Sequence, residues 1–179
     1  MRLRRLTAGE QALARRVFGA ALDPARPLLV MHAPTGPWAM VLFGLMLFPV
    51  HVEDFAAEPL GRQAWFVHEL AHVRQFQRRP LRTLSSWARV ALSGGYLTGR
   101  AYRYTLPLAW DRLNLEQEAK AIEHAFLFGR GVRPADAPEG ARMEDYESLL
   151  PLWEKEGPVA QRWEGEGSRD AKRRFGSGG

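Results

Sequence analysis

The feature that most restricts how this chain of 179 residues folds is one long helical stretch near its middle. Glu58 and Pro59 form a typical helix start, because proline is tolerated in the first turn, and Pro80 marks the end of the pattern. Apolar side chains recur between these bounds in a way that predicts one buried face: Trp65, Phe66, Val73 and Phe76.

This helix carries the motif His68-Glu69-x-x-His72. Residues four apart project from the same side of a helix, so the two imidazoles can bind one ion. Glu69 lies about 100° further round the helix, where it reaches a water on the metal without being a ligand. A zinc ion lowers the pKa of its water to about 7. Glu69 would then act as the base, and the motif predicts zinc-dependent hydrolysis of peptide bonds.

A catalytic zinc site needs a third protein ligand, which the motif does not contain. The chain has no cysteine, and no third histidine follows closely. The best source is a second predicted helix over residues 111–128, where Glu116 and Glu123 share a face and Glu118 points away. We predict Glu116 as the third ligand, and Glu123 as a candidate for orienting a ligand histidine through a hydrogen bond.

The remaining patterns predict an α+β fold. Thr7-x-x-Glu10 is a capping box that starts a first helix ending before Asp23. Short apolar runs between residues 27 and 50, separated by proline and glycine, predict two or three strands. A strand within residues 45–50 is our candidate for a sheet edge that pairs with an extended peptide substrate.

We expect a single domain over residues 1–156, in which the motif helix packs with other helices against a small sheet. Residues 81–93 and 143–154 are candidates for two further helices, the second the weaker one. A polar, glycine-rich segment over residues 157–179 predicts a flexible tail.

Several short patterns resemble a known group of proteins. His68-Glu69-x-x-His72 followed by Glu116 resembles the gluzincin arrangement. More closely, the chain is similar to small bacterial metallopeptidase domains labelled Vgr-related, kin to the domain found with extracellular contractile injection systems. The matching patterns span roughly residues 3–131: Leu6-Thr7-x-Gly9-Glu10, Asp54-Phe55-Ala56, the H-E-x-x-H-V-x-Q helix, Tyr102-x-Tyr104 and Glu116-Gln117-x-Ala119.

This resemblance implies a zincin-like domain in which His68, His72 and Glu116 bind zinc and Glu69 is the catalytic base. It also implies association with a secretion or injection system. Lys120 stands where gluzincins often carry an acid. The carboxylate that orients a ligand histidine must therefore be lost or supplied from another position.

A site of this kind also requires a group that stabilises the developing oxyanion. We take Tyr104 as the candidate, with Tyr102 as the alternative and core packing as a further role for either. His124 is expected at the surface or at a helix cap. His32 and His51 lie near predicted strands and receive no role.

The formal net charge of +5 is nearly all arginine. The group Arg74, Arg78, Arg79 and Arg82 follows the motif and fits a solvated helix end, or recognition of an acidic substrate or phosphate.

Two other functions stay open: a zincin scaffold without turnover that acts as an interaction module, and a basic nucleic-acid-binding protein. No recognised nucleic-acid motif accompanies the charge, so we do not expect the second.

The start of the chain lacks the apolar core of a signal peptide. Its longest uncharged apolar run, residues 38–50, is too short to span a bilayer. We therefore expect a cytoplasmic protein without a membrane span, compatible with export by a specialised system.

Overall fold

The predicted capping box starts the first helix. In a computed structural model, which describes residues 1–146, the Thr7 hydroxyl accepts the Glu10 amide and the Glu10 carboxylate accepts the Thr7 amide. Helix α1 (Ala8–Phe18) follows, and a 3-10 turn (Gly19–Ala21) ends it before Asp23. Ahead of it lies a short strand, β1 (Arg2–Arg5), which the sequence did not predict because its arginines lack the apolar alternation of a strand.

The predicted apolar runs form the other three strands, β2 (Leu28–Met31), β3 (Met40–Leu42) and β4 (Leu45–Phe48). The order in the sheet is β1-β2-β4-β3, and only β2 and β4 are parallel. The side chains of alternate residues on these two central strands are fully buried, and they form the layer on which the helices pack: Leu29, Met31, Met46 and Phe48.

The strand order shows that the predicted sheet edge for substrate pairing was wrong. Residues 45–50 were the candidate edge, but β4 lies between β2 and β3 and both of its sides are paired. The edges of the sheet are β1 and β3. Hydrophobicity reports whether the faces of a strand are buried and not whether its edges are paired, which explains why the apolar run of β4 could not identify an edge.

Helix α2 (Leu60–Arg78) is the central element of the fold. The sequence predicted one buried face, but all residues from Phe66 to Phe76 are buried. The reason is its position, because it packs against the sheet, α1 and the later helices. The polar motif is therefore enclosed by other elements.

The later helices follow the predicted ranges closely. The chain turns at Arg79, and Pro80 opens the next helix; a left-handed Gly94 then ends that segment. The fifth helix begins at Leu115 with Asn114 as its cap, four residues later than expected. The helices are α3 (Pro80–Leu92), α4 (Gly95–Thr98) and α5 (Leu115–Phe128), with a 3-10 turn (Trp110–Arg112) before α5.

The observed architecture confirms the predicted α+β class with helices packed on a small sheet. The proposed boundary at residue 156, the tail and most of the expected helix over residues 143–154 lie outside the described residues. Within residues 1–146, no helix has both the length and the apolar character needed to cross a membrane.

Candidate metal centre

The two motif histidines lie on one face of α2 opposite α5. Their ring centroids are 5.0 Å apart with the planes nearly perpendicular. Glu116, in the first turn of α5, places Oε2 3.3 Å from His68 Nε2 and 3.2 Å from His72 Nε2. All three side chains are more than nine-tenths buried. The structure thus brings together the three residues that the sequence selected as metal ligands.

The two nitrogen–oxygen distances match those expected around a small tetrahedral ion. With zinc–nitrogen and zinc–oxygen bonds near 2.0–2.2 Å, two ligand atoms on a tetrahedron lie about 3.3–3.5 Å apart. The two measured nitrogen–oxygen distances are within about 0.1 Å of the lower value. Two imidazoles and one carboxylate are also a ligand set that catalytic zinc uses.

The outer nitrogen of each histidine is held by a second side chain. His68 Nδ1 donates to Glu123 Oε2 at 3.0 Å, and His72 Nδ1 donates to Gln75 Oε1 at 3.0 Å. Gln75 is itself fixed, since its amide donates to the Leu115 carbonyl at 2.9 Å. These bonds leave both Nε2 atoms directed at Glu116, as required of metal ligands. The predicted contact of Glu123 with a ligand histidine is confirmed.

Lys120 takes part in this arrangement without replacing the missing acid. Its ammonium lies 3.0 Å from Glu123 Oε2 and 3.1 Å from Asp136 Oδ2. Glu123, three residues later on α5, is the carboxylate that reaches His68. Lys120 therefore balances the negative charge of the residue that orients the ligand.

Hydrogen bonds and opposite charges within the cluster shift the pKa values of its histidine and carboxyl groups towards their charged forms. Burial lowers the pKa of His68, but its hydrogen bonds to Glu116 and Glu123 outweigh this and raise the value to about 10. Burial tends to raise the pKa of Glu116, but His72 and His68 hold it well below its usual range. The carboxylate is thus ionised in the form that binds a cation.

Glu69 differs from the ligands in its contacts. Its side chain is buried, and burial raises the pKa of its carboxyl group against the opposing effect of His68 and His72. Within the described part of the chain, no hydrogen bond or ion pair engages its carboxylate. A carboxylate with a raised pKa and no protein partner is suited to accept a proton from a bound water.

Two tyrosines, Tyr96 and Tyr102, contact residues of the cluster. Tyr96 donates its hydroxyl to Glu116 Oε1 at 2.8 Å, and the ring of Tyr102 lies 6.3 Å from that of His68. Burial, together with the negative charges of Glu116 and Glu69, raises the pKa of Tyr102 to about 12. The alternative candidate, Tyr102, is therefore at the site. Tyr96 was missed because it lies in a glycine-rich segment without a motif.

Tyr104 is hydrogen-bonded to residues other than the three candidate ligands. Its hydroxyl donates to His124 Nδ1 and accepts from the Tyr146 hydroxyl. His124 is only 1% exposed rather than at the surface, and its Nε2 donates to Asp136 at 3.1 Å. Tyr104 therefore satisfies a buried histidine and supports the core.

The other two histidines form a separate pair. The rings of His32 and His51 are stacked with centroids 5.4 Å apart, and His51 Nε2 donates to Glu53 at 2.8 Å. The structure does not bring them into the triad.

Comparisons with known proteins give one informative match. No family model matches the chain, and no curated protein does so. Among solved structures, the fold is similar to the effector domain of Pseudomonas aeruginosa VgrG2b, with a TM-score of 0.64 and 26% sequence identity. The match covers 83% of this chain and 82% of the other. The fold and the sequence therefore link this chain to a Vgr effector domain.

Proposed function

We propose that this protein is a zinc-dependent metallopeptidase of the effector type. The observation that carries the proposal is the cluster itself: a carboxylate oxygen of Glu116 lies 3.3 Å from Nε2 of His68 and 3.2 Å from Nε2 of His72, and all three residues are buried. The similarity to an effector domain supports an association with a secretion system, and so does the resemblance read from the sequence.

The residues of the chain divide the chemistry among them. Zinc would supply a Lewis acid that polarises a carbonyl group and acidifies a water. Glu69 receives the proton of the attacking water and delivers it to the leaving amine. Tyr102, beside His68, is the group we assign to the developing oxyanion. The surrounding helices exclude bulk water from these groups, which strengthens each interaction.

A peptide substrate fits the free edge of β3. This strand packs against α2, and the ring of Phe43 just after it lies 5.2 Å from that of Phe76. Trp38 and Phe43 next to the strand are largely exposed. An extended peptide that pairs with β3 would find backbone hydrogen bonds and apolar contacts beside the metal helix.

The test compares the wild type with Glu69→Gln. We expect both proteins to bind one zinc ion, because Glu69 is not a ligand, and only the wild type to cleave a peptide library. Zinc content is measured by elemental analysis and cleavage by mass spectrometry. Loss of the metal in Glu69→Gln would contradict the role of Glu69 as a base. Absence of cleavage by both proteins, with zinc bound, would favour a scaffold without turnover.

A further inference from the structure

A cavity lined by arginines lies next to the candidate metal centre, since Gln75 belongs to its wall. Its volume is about 80 Å³, and four arginines contribute to its wall: Arg74, Arg78, Arg79 and Arg82. They come from the last turns of α2, from its C-cap and from the start of α3. Gln75, whose side chain holds His72, is part of the same wall.

The positive charge of this cavity is not balanced. One acid, Glu118, lines it, and this residue pairs with Arg74 at 2.7 Å. Within the part of the chain that the structure describes, no ion pair joins Arg78, Arg79 or Arg82 to an acid. The segment over residues 70–110 contains seven arginines and no aspartate, glutamate or lysine. The next acid in sequence is Asp111, whose backbone carbonyl accepts a hydrogen bond from Arg82 at 3.4 Å; among the described residues its carboxylate forms no ion pair with the three arginines.

Arg74 is buried among these arginines and has a donor atom without an acceptor. Its side chain is only 6% exposed, and its Nε is a buried donor without an acceptor. Arg78 and Arg79 line the same cavity as Arg74. Buried donors without partners and like charges at close range both destabilise a fold unless a ligand compensates them.

The remaining wall supplies donors and a surface of suitable size. Ser86 accepts the Leu115 amide through Oγ, which leaves the hydroxyl proton available to a ligand. Trp110 and Leu113 provide apolar contacts at the side. The volume is well above the roughly 10–15 Å³ that a single water requires, so it accommodates a small polyatomic ion.

We propose that this cavity is a binding site for a tetrahedral oxyanion of the phosphate class, either free phosphate or the phosphate group of an ester. A dianion matches several guanidiniums that have no acidic partner, whereas a single carboxylate is satisfied by one. The site is separate from the metal ligands and does not depend on the proposed peptidase activity.

Bound phosphate would connect three elements. Arginines of α2 and α3 and residues at the start of α5 line the same space. These are the helix that carries both histidines and the helix that carries Glu116. Occupancy would therefore stabilise the packing of α2 against α5.

The experiment is a calorimetric titration of the full chain with inorganic phosphate at constant ionic strength. It is carried out with a chelator present, so that phosphate cannot bind through a metal ion. We expect saturable binding of one phosphate per chain. Arg79→Gln and Arg82→Gln should each weaken it by about tenfold, because each removes a charged donor. Arg89→Gln, on the exposed part of α3 outside the cavity, removes the same charge and should bind phosphate as the wild type does.

Circular dichroism verifies that the variants fold. Equal affinity of the wild type and the Arg79→Gln/Arg82→Gln double variant would overturn the proposal, and so would equal weakening by Arg89→Gln. Glutarate binding as tightly as phosphate would overturn the assigned chemistry. Glycerol phosphate serves as the second ligand: tighter binding than phosphate supports an ester as the natural ligand, and weaker binding supports the free ion.

Discussion

Glu123 is the residue through which α5 controls the orientation of His68. Its Oε2 accepts His68 Nδ1 at 3.0 Å, and its other oxygen accepts the Lys120 ammonium at 3.2 Å. Positions 120 and 123 are neighbours on a helix surface, so the carboxylate needed by the histidine is one turn away from where the gluzincin pattern has it. Lysine at 120 is then a charge partner of the orienting residue.

Glu123→Gln should weaken zinc binding by about 10- to 100-fold, because the ligand histidine loses a charged acceptor behind it. Competition with a chromophoric chelator measures the zinc dissociation constant. Glu118→Gln is the matched control, since Glu118 lies on the same helix and pairs with Arg74 instead of a histidine. Equal loss of affinity in both variants would show that α5 acts only through its overall charge.

Tyr102→Phe should lower kcat by about 10²- to 10³-fold and leave the zinc content unchanged, if its hydroxyl stabilises the oxyanion. Tyr104→Phe should leave kcat near the wild-type value, because its hydroxyl is engaged with His124 and Tyr146. Steady-state kinetics on a peptide identified from the library measures both. The reverse result would restore the role first assigned to Tyr104.

At the scale of elements, the start of α1 joins three separate parts of the chain. The Glu10 carboxylate is fully buried and accepts hydrogen bonds from both terminal nitrogens of Arg4, each at 2.7 Å. It also accepts the amides of Thr7 and Phe55. The capping box therefore fixes β1 and the segment before α2 in addition to beginning a helix.

Glu10→Ala should reduce the free energy of unfolding by roughly 3–5 kcal/mol, because it leaves the Arg4 guanidinium buried without its partner. Thr7→Ala removes only the cap and should cost about 1 kcal/mol. Urea denaturation followed by circular dichroism compares them. A Glu10→Ala effect no larger than that of Thr7→Ala would mean that the Arg4 pair contributes little.

Some features of these elements could be predicted from the sequence and others could not. Helical periodicity placed Glu116 and Glu123 on one face of α5, because spacing along one helix is a local property. The capping box located α1 for the same reason. The strand order and the position of Tyr96 depend on which distant segments meet, and nothing local encodes this for a loop or a short apolar run. His124 was misplaced because its burial depends on Tyr104 and Asp136, which lie elsewhere in the chain.

At the scale of the whole molecule, the metal centre joins the two helices with the most extensive mutual packing, α2 and α5. Two ligands come from one helix and the third comes from the other. An ion that binds all three would prefer the folded state, because Glu116 lies 44 residues after His72 in sequence and reaches the histidines only when the chain is folded. Metal binding at this cluster would therefore be coupled to folding.

Zinc should raise the melting temperature of the wild type, and a chelator should reverse the rise. When free zinc is about 100 times the dissociation constant, binding stabilises the fold by about 2.7 kcal/mol. Differential scanning calorimetry across a series of buffered zinc concentrations measures the dependence.

The His72→Ala variant should lose this response to zinc, because it lacks one ligand, whereas Glu69→Gln should keep the response although it is inactive. If the melting temperature of the wild type did not change with zinc, the chain would not bind zinc in its folded state. An equal rise in His72→Ala would mean that zinc binds at another position. A response shared by the wild type and Glu69→Gln alone would tie the metal to the three ligand residues and separate its role in stability from the role of Glu69 in catalysis.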